Sequence, residues 1–347
     1  MQRGDCLMTT KDKVRVGVIG AGGMAHAVHL PSLDRIPEAQ VVAICDLVPE
    51  RAASAAAKHA IPKVYPIHDQ MLEHEDLDAV LCLCEPDRQF RPALDALTAG
   101  KHVLLEKPPG LTLFQARTLM RAARQHNRIL QVAFNRRFIP LVQDVVRRMR
   151  DLTPINQVVG HFMKHGTAAF CSGSICAFES DTIHVLDLVC WLAGARPADG
   201  AMIQSQFGDV VPNAWNAVVR FDNGVIGVIK ANYMTGGRTH IVEIHGPQAS
   251  AFIDLGFGTA SCSARILVHG SGGAYSLAAE GAAENQLIEL DGQHIAGSDE
   301  FFAYYGFLQE NQEFIAAVRE GRPSACDIEE GVKAFEFAEF LHEHRLT

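Results

Sequence analysis

The sequence predicts an α/β protein: an N-terminal doubly wound parallel sheet followed by an α+β domain built on a large, open, mostly antiparallel sheet. Three observations carry this. Up to about residue 133, short apolar segments alternate with helical patterns. A glycine-rich turn, Gly20-x-Gly22-x-x-Ala25, follows the first apolar segment and opens a helical pattern. After residue 150, strand patterns succeed one another with few helices between them.

The N-terminal strands read as Val14–Ile19, Val41–Cys45, Ala79–Cys84, His102–Glu106 and Ile129–Ala133, with a weaker one near Val64. Helical stretches such as Glu50–His59, Phe90–Ala99 and Leu113–Gln125 lie between them. Near-continuous apolar strands separated by helices mean a parallel sheet covered on both faces. Right-handed crossovers then bring every strand's C-terminal end to one edge. That edge collects Gly20, Asp46, Glu85 and Lys107. Beyond residue 150 the segments 155–163, 201–207, 214–221, 225–231 and 240–245 read as strands. Asp222-Asn223-Gly224 marks a hairpin between two of them. Helices are expected over about 179–192, 300–320 and 327–344. The expected division is a disordered tail 1–11, a dinucleotide-binding domain 12–133, an α+β domain 134–326, and a C-terminal helix 327–347 returning toward the first domain. The segment Gly270–Gly281, rich in Gly, Ser and Ala, reads as a mobile loop.

Composition narrows the partners. A chain of 347 residues is long enough for two full cores. A formal charge of −9, with no polybasic stripe to offset it, disfavours nucleic acid or an anionic membrane as partner. No apolar run reaches the ~20 residues of a membrane span, and the first ten residues lack a hydrophobic signal core. Nine cysteines without a Cys-x-x-Cys read as free thiols of a reducing cytoplasm, not as a metal site. Cys82 and Cys84 alternate along one strand and so share a face.

The chemistry-bearing residues follow. Gly20 permits a tight turn and Gly22 lets the backbone approach a pyrophosphate. Ala25 allows close packing of helix on strand, and the helix N-terminus faces the phosphates. The expected cofactor contacts are therefore Gly20, Ala21, Gly22, Gly23 and Met24. Asp46 closes the second strand about 20 residues further on, where a carboxylate binds both ribose hydroxyls and repels a 2′-phosphate. NAD is thus favoured over NADP, although Arg51 nearby acts in the other direction, and a helix-capping Asp is the plainer reading. Lys107, delivered by Glu106-Lys107-Pro108-Pro109, is either a solvated lysine or one desolvated enough to trade a proton with a hydroxyl. Ser180, Asp181, His184, Asp187 and Trp191 are expected on one helix. At about 100° per residue, Ser180, His184, Asp187 and Trp191 form a stripe with Asp181 beside His184. A histidine between two acids is a proton shuttle or a satisfied core group. His26 and His29 read as part of the first helix.

Together these segments resemble the glucose–fructose oxidoreductase, inositol dehydrogenase and rhizopine-catabolism (Gfo/Idh/MocA) family. Val16 to Met24 is similar to its opening, Ala99 to Pro108 to its central motif, Phe134 to Phe138 to its domain junction, and His184-x-x-Asp187 with Trp191-Leu192 to its substrate-domain helix. The matches span most of the chain in the family's order. The resemblance implies a Rossmann domain and an α/β domain whose open sheet buries one face in a homodimer or homotetramer. It implies Lys107 between nicotinamide ribose and substrate, His184 as acid/base, Asp187 orienting the substrate, and Glu106 and Glu85 lining the nicotinamide end. The chain departs from the family's pattern at Ser180, where many members carry Asp, and at Phe90, near which many carry His. The expected activity is that of a cytoplasmic NAD(P)-dependent oxidoreductase acting on a sugar, cyclitol or related polyol, with Lys107, His184, Asp181 and Asp187 handling the proton. Two alternatives stay open: a glycosidase-type enzyme that uses transient oxidation, and a non-catalytic dinucleotide sensor.

Overall fold

The computed structural model describes residues 13–257, 261–270 and 285–346. The expected tail 1–11 and all of the Gly270–Gly281 segment but its first residue lie outside them.

Six strands form the first sheet: β1 (Val14–Ile19), β2 (Ala39–Cys45), β3 (Lys63–Tyr65), β4 (Ala79–Cys82), β5 (His102–Leu105) and β6 (Leu130–Val132). Their order is β3-β2-β1-β4-β5-β6 and every pairing is parallel. The strand order reverses between β1 and β4, and such a switch point opens a crevice at the carboxyl ends of the strands. β4 is buried along its whole length, as expected where helices cover both faces. β4 and β5 end earlier than the apolar pattern suggests. Cys84 and Glu85, and Glu106 and Lys107, therefore sit on loops beyond the sheet edge.

The second sheet has eight strands: β7 (Gln157–His165), β10 (Pro197–Ser205), β11 (Ala214–Phe221), β12 (Ile226–Asn232), β13 (Met234–His245), β14 (Ala249–Leu255), β15 (Cys262–Val268) and β16 (Gln286–Asp291). A short hairpin, β8 (Ala169–Phe170) with β9 (Ile175–Cys176), stands apart. The order is β10-β11-β12-β7-β13-β14-β15-β16, antiparallel except where β12 meets β7. The Asp222–Gly224 turn joins β11 to β12 as expected, with Gly224 at φ 87°. β14, β15 and β16 were not foreseen, although Ala249–Leu255 alternates buried and half-buried positions throughout. Helices Pro140–Leu152 and Ile183–Ala193 cover one face of this sheet. Helix Ile328–Glu343 packs against helix Leu113–Gln125 and β6 of the first unit and against helix Ile183–Ala193 of the second.

Two expected helices are broken, and both breaks bear on the site. The chain forms Ala177–Ser180, leaves helical geometry at Asp181 (φ −123°, ψ −42°) and resumes at Ile183–Ala193. Ser180, His184, Asp187 and Trp191 therefore do not share one continuous helix. Asp and Thr favour helix ends because their side chains compete with the helical backbone, and the Asp181 carboxylate is held by cations described below. The second helix splits into Phe301–Tyr304 and Phe307–Glu320 at Gly306. Gly306 has φ +88°, and a Cβ there would lie 2.3 Å from the Asn135 carbonyl oxygen.

Helix Ile183–Ala193 presses on β7 at Gly160, where an added Cβ would meet Val185 Cγ2 at 2.1 Å. Gly160→Val is expected to cost about 1–3 kcal/mol by overpacking. Gly236→Ala, with open space around the new methyl, should stay within ~0.5 kcal/mol. Urea denaturation of the two variants measures the contrast.

Candidate active site

The glycine turn after β1 and the acid after β2 meet at the crevice. Gly20 has φ +98°, and a Cβ on it would sit 2.8 Å from the Leu83 carbonyl oxygen, so the turn requires glycine. Around Gly22 and Gly23 an added Cβ meets nothing within 4 Å, which leaves the backbone open to a ligand. Asp46 accepts hydrogen bonds from the Ala21 N–H at 2.7 Å and the Val48 N–H at 2.8 Å. Its carboxylate thus fixes both the glycine turn and the start of helix Pro49–His59. A cleft of about 410 Å³ lies here, lined by Gly20, Gly22, Asp46, Arg51 and Glu85. Met24 is partly exposed beside the turn. An apolar crevice with glycine backbone, an acid and an arginine suits a dinucleotide. The helix that follows begins as a π-helical turn, Ala25–His29. It turns His29 inward, where Nε2 lies 3.1 Å from Glu106 Oε1 and Nδ1 meets Asn311. The other Glu106 oxygen accepts the Lys107 N–H at 3.0 Å. Burial pushes the Glu106 carboxyl up, but the His29 hydrogen bond and the nearby His29 and Lys107 charges hold it below its ordinary value. The eight described cysteines are free; β4 ends at Cys82, so Cys84 is not on the same strand, and the two thiols donate to different carbonyls, Cys82 to Gln89 and Cys84 to Ile19.

Lys107 leaves the end of β5 toward the second unit. Its Nζ donates to the Ser180 carbonyl oxygen at 3.1 Å and lies 3.6 Å from Asp181 Oδ1. Asp181 is also held by the Lys164 ammonium from β7 and accepts the Tyr233 hydroxyl at 2.6 Å. Burial raises its carboxyl, yet the charges of Lys107, Lys164 and Arg136 draw it well below the ordinary range. His184, 4 % exposed, follows within the next helical turn. Its Nδ1 is buried without a partner, and its ring meets Phe134 edge-on at 5.9 Å. Burial lowers the imidazole, Arg136 and Lys107 lower it further, and Asp181 only partly restores it. These influences together favour the neutral imidazole.

Asp187 has a setting different from the one expected. Arg137 grips both its oxygens, Nε to Oδ2 at 2.8 Å and Nη2 to Oδ1 at 2.6 Å, and reaches Glu330 at 2.8 Å. At 1 % exposure this carboxylate anchors Arg137, which ties the junction segment to helices Ile183–Ala193 and Ile328–Glu343. Burial pushes its carboxyl up, against the pull of the Arg137 charge and hydrogen bonds. Phe90 begins the helix after β4 and packs against the first core.

Sequence reasoning missed several groups that the fold brings beside Lys107 and His184. Arg136 is 4 % exposed and lies over the rings of Phe162 and Tyr305. His240 on β13 stacks on Phe162 at 4.1 Å and contacts the Tyr305 hydroxyl at 3.2 Å. Lys164 lies 4.4 Å from the Tyr233 ring centroid. The Phe134–Phe138 segment held the signal for Arg136, but only as part of a motif. Nothing in the sequence separates Lys164, Tyr233, Arg238 or His240 from ordinary strand residues.

Comparison with known proteins agrees with this architecture. The model of an oxidoreductase family with an NAD-binding Rossmann fold, Gfo/Idh/MocA, matches residues 14–134, and that of its C-terminal alpha/beta domain matches residues 176–344. The myo-inositol 2-dehydrogenase of Thermotoga maritima is 26% identical over 341 residues, covering 92% of this chain and 93% of the relative. Among solved structures, the UDP-N-acetylglucosamine 3-dehydrogenase GnnA from Acidithiobacillus ferrooxidans superposes with TM-score 0.79 at 23% identity, over 96% of this chain and 97% of the other. Levoglucosan dehydrogenase in complex with NADH and levoglucosan gives TM-score 0.81 at 18% identity, over 96% and 97%. At these identities the two structures establish a shared fold. Among the described residues no helix is long and apolar enough to cross a membrane.

The Arg137–Asp187 pair gives a direct test. Arg137→Met leaves a buried carboxylate without its partner, and the expected loss is about 3–5 kcal/mol. Chemical denaturation at pH 7 measures it. A loss below ~1 kcal/mol would remove the structural role assigned to this pair.

Proposed function

The chain belongs to the Gfo/Idh/MocA family of NAD-binding oxidoreductases, and from that premise we propose that it transfers a hydride between nicotinamide and a carbinol carbon of a sugar, cyclitol or related polyol. The observation that carries this reading is one constellation. Lys107, from the dinucleotide edge, meets Asp181 at 3.6 Å, and a neutral His184 lies within the electrostatic reach of both. Bound nicotinamide dinucleotide supplies the hydride acceptor or donor. The chain's own residues supply position and proton traffic. The Gly20–Met24 turn receives the pyrophosphate, Asp46 the adenosine ribose, and Glu85, Glu106 and Lys107 the nicotinamide end. The Lys107 ammonium donates a hydrogen bond to the reacting oxygen and stabilises negative charge that builds there. His184 accepts the hydroxyl proton at its unprotonated ring nitrogen. Asp181 holds Lys107 and Lys164 in place. Ser180 contributes its backbone carbonyl to Lys107, so a side-chain carboxylate at position 180 is not needed for that contact.

Asp46 supports NAD over NADP, because its carboxylate at the ribose end repels a 2′-phosphate. Arg51 on the same cleft works against that preference without abolishing it. The exposed side chains Val218, Leu267 and Leu287 lie on the sheet face turned away from helix Ile183–Ala193. They support a homodimer or homotetramer joined through this sheet.

Oxidation of a polyol panel by the full chain with NAD, followed by NADH absorbance, tests the reading. Lys107→Ala is expected to lower kcat by about 10²–10⁴-fold while NADH still binds. Undiminished turnover would refute the role of Lys107. The oxidation direction needs His184 unprotonated. An ordinary imidazole protonates near pH 6.5, and burial with the Arg136 and Lys107 charges holds His184 well below that. The acid limb of kcat/KM is therefore expected below pH 6.5 and should vanish in His184→Asn. A limb at or above 6.5 would contradict the assignment. Asp46→Ala should narrow the NAD-over-NADP preference, read as the ratio of the two KM values.

A further inference from the structure

The groups gathered around Asp181 and His184 carry more positive charge than hydride transfer to or from a neutral polyol requires. Lys107, Lys164, Arg136 and Arg238 act on one another or on the same groups: Lys107 and Arg238 on Lys164, Arg136 on Arg238, and Arg136 and Lys107 on His184. The carboxylate among them is Asp181, and it is already engaged by Lys164, Lys107 and Tyr233. Glu106 lies behind Lys107 and is engaged by His29. Arg136 and Arg238 have no carboxylate within ion-pair distance among the described residues, and the Nε of each is buried without a hydrogen-bond partner. Arg136 is itself more than nine-tenths buried. Both guanidiniums are backed by aromatic rings. The Arg238 carbon lies 3.4 Å from the centroid of Phe257, and that of Arg136 lies 5.0 Å from Phe162. Stacking fixes the plane of a guanidinium and leaves its N–H edge for an anion.

Arg136 is desolvated and Arg238 half-buried, and the one carboxylate that acts on both, Asp181, is shared with Lys107 and Lys164; cations so placed are costly without a further counter-charge. The pyrophosphate of a dinucleotide does not supply that charge, because the cleft at its glycine turn is lined by Gly20, Gly22, Asp46, Arg51 and Glu85 and by none of Lys107, Lys164, Arg136 or Arg238. An oxidised nicotinamide ring would add positive charge. The ligand left to supply the anion is the substrate.

We propose that the substrate is an anionic sugar or polyol whose carboxylate or phosphate is received by Arg238, with Lys164 and Arg136 beside it. This rests on the dehydrogenase reading for the identity of the ligand and on the unpaired guanidiniums for its charge. Arg238 is then a specificity-determining residue: it fixes the substrate's anionic end while Lys107 and His184 act at the reacting hydroxyl.

The test is binding to the NADH-loaded full chain, followed by calorimetry, with D-glucose, D-glucuronate and D-glucose 6-phosphate as probes. At least one charged sugar is expected to bind about tenfold or more tightly than D-glucose, and the glucuronate and phosphate arms tell which anion the site takes. In Arg238→Met the ratio of charged to neutral affinity should collapse toward one, with Arg238→Lys restoring part of it and raised salt weakening the charged ligand only. Equal binding of neutral and charged sugars, or an unchanged ratio in Arg238→Met, would overturn the proposal. Because the readout is binding, the two readings fail separately. A chain that prefers charged sugars but oxidises none keeps the anion site and loses the dehydrogenase, while turnover of neutral polyols without charge preference does the reverse.

Discussion

The ion pairs of Asp181 are the constraint on which the site depends. Lys107 arrives from the parallel sheet and Lys164 from the antiparallel one, and both close on this single carboxylate. A buried acid is stable only when its charge is met; separating the two units would remove Lys107 and leave Asp181 with Lys164 and Tyr233. The same carboxylate interrupts a helix that the apolar pattern would have continued. With the helix broken after Ser180, the Ser180 carbonyl is free to accept from Lys107, and His184 starts a new helix beside it. One local break thus sets the lysine, the acid and the histidine in register.

A second ionic link holds the frame. Arg137 leaves the 3₁₀ turn Asn135–Phe138 and spans Asp187 and Glu330, joining the junction to two helices. Such a buried network adds little net stability over an apolar replacement but penalises loss of either partner. Its contribution is placement. Arg136, the next residue back along the chain, turns toward Phe162 and Tyr305 and lowers His184 electrostatically. The adjacent arginines therefore divide the work: one fixes helix Ile183–Ala193, the other tunes the histidine that the helix carries.

Burial and charge together account for the histidine. Desolvation penalises the imidazolium, and the Arg136 and Lys107 charges add to that effect, which Asp181 offsets only in part. The neutral imidazole is the form that can act as a proton acceptor. The cationic share of this balance is also what a negatively charged ligand would relieve.

Local pattern along the chain was enough to specify part of this architecture. The strand–turn–helix at Gly20, the acid after β2, the lysine at the end of β5 and the hairpin at Asp222–Gly224 all follow from apolar periodicity, glycine chemistry and proline. It also placed Lys107, Asp181 and His184 in one site, with help from motif resemblance. The tertiary structure alone decided what those residues touch. That Asp181 ends a helix, that Asp187 belongs to Arg137, and that Lys164, Arg136, Arg238 and His240 gather beside Lys107 depend on contacts between residues tens to more than a hundred positions apart. Periodicity records which side of an element is buried; it does not record which distant charge will lie opposite, because that partner is chosen only when the two sheets pack together.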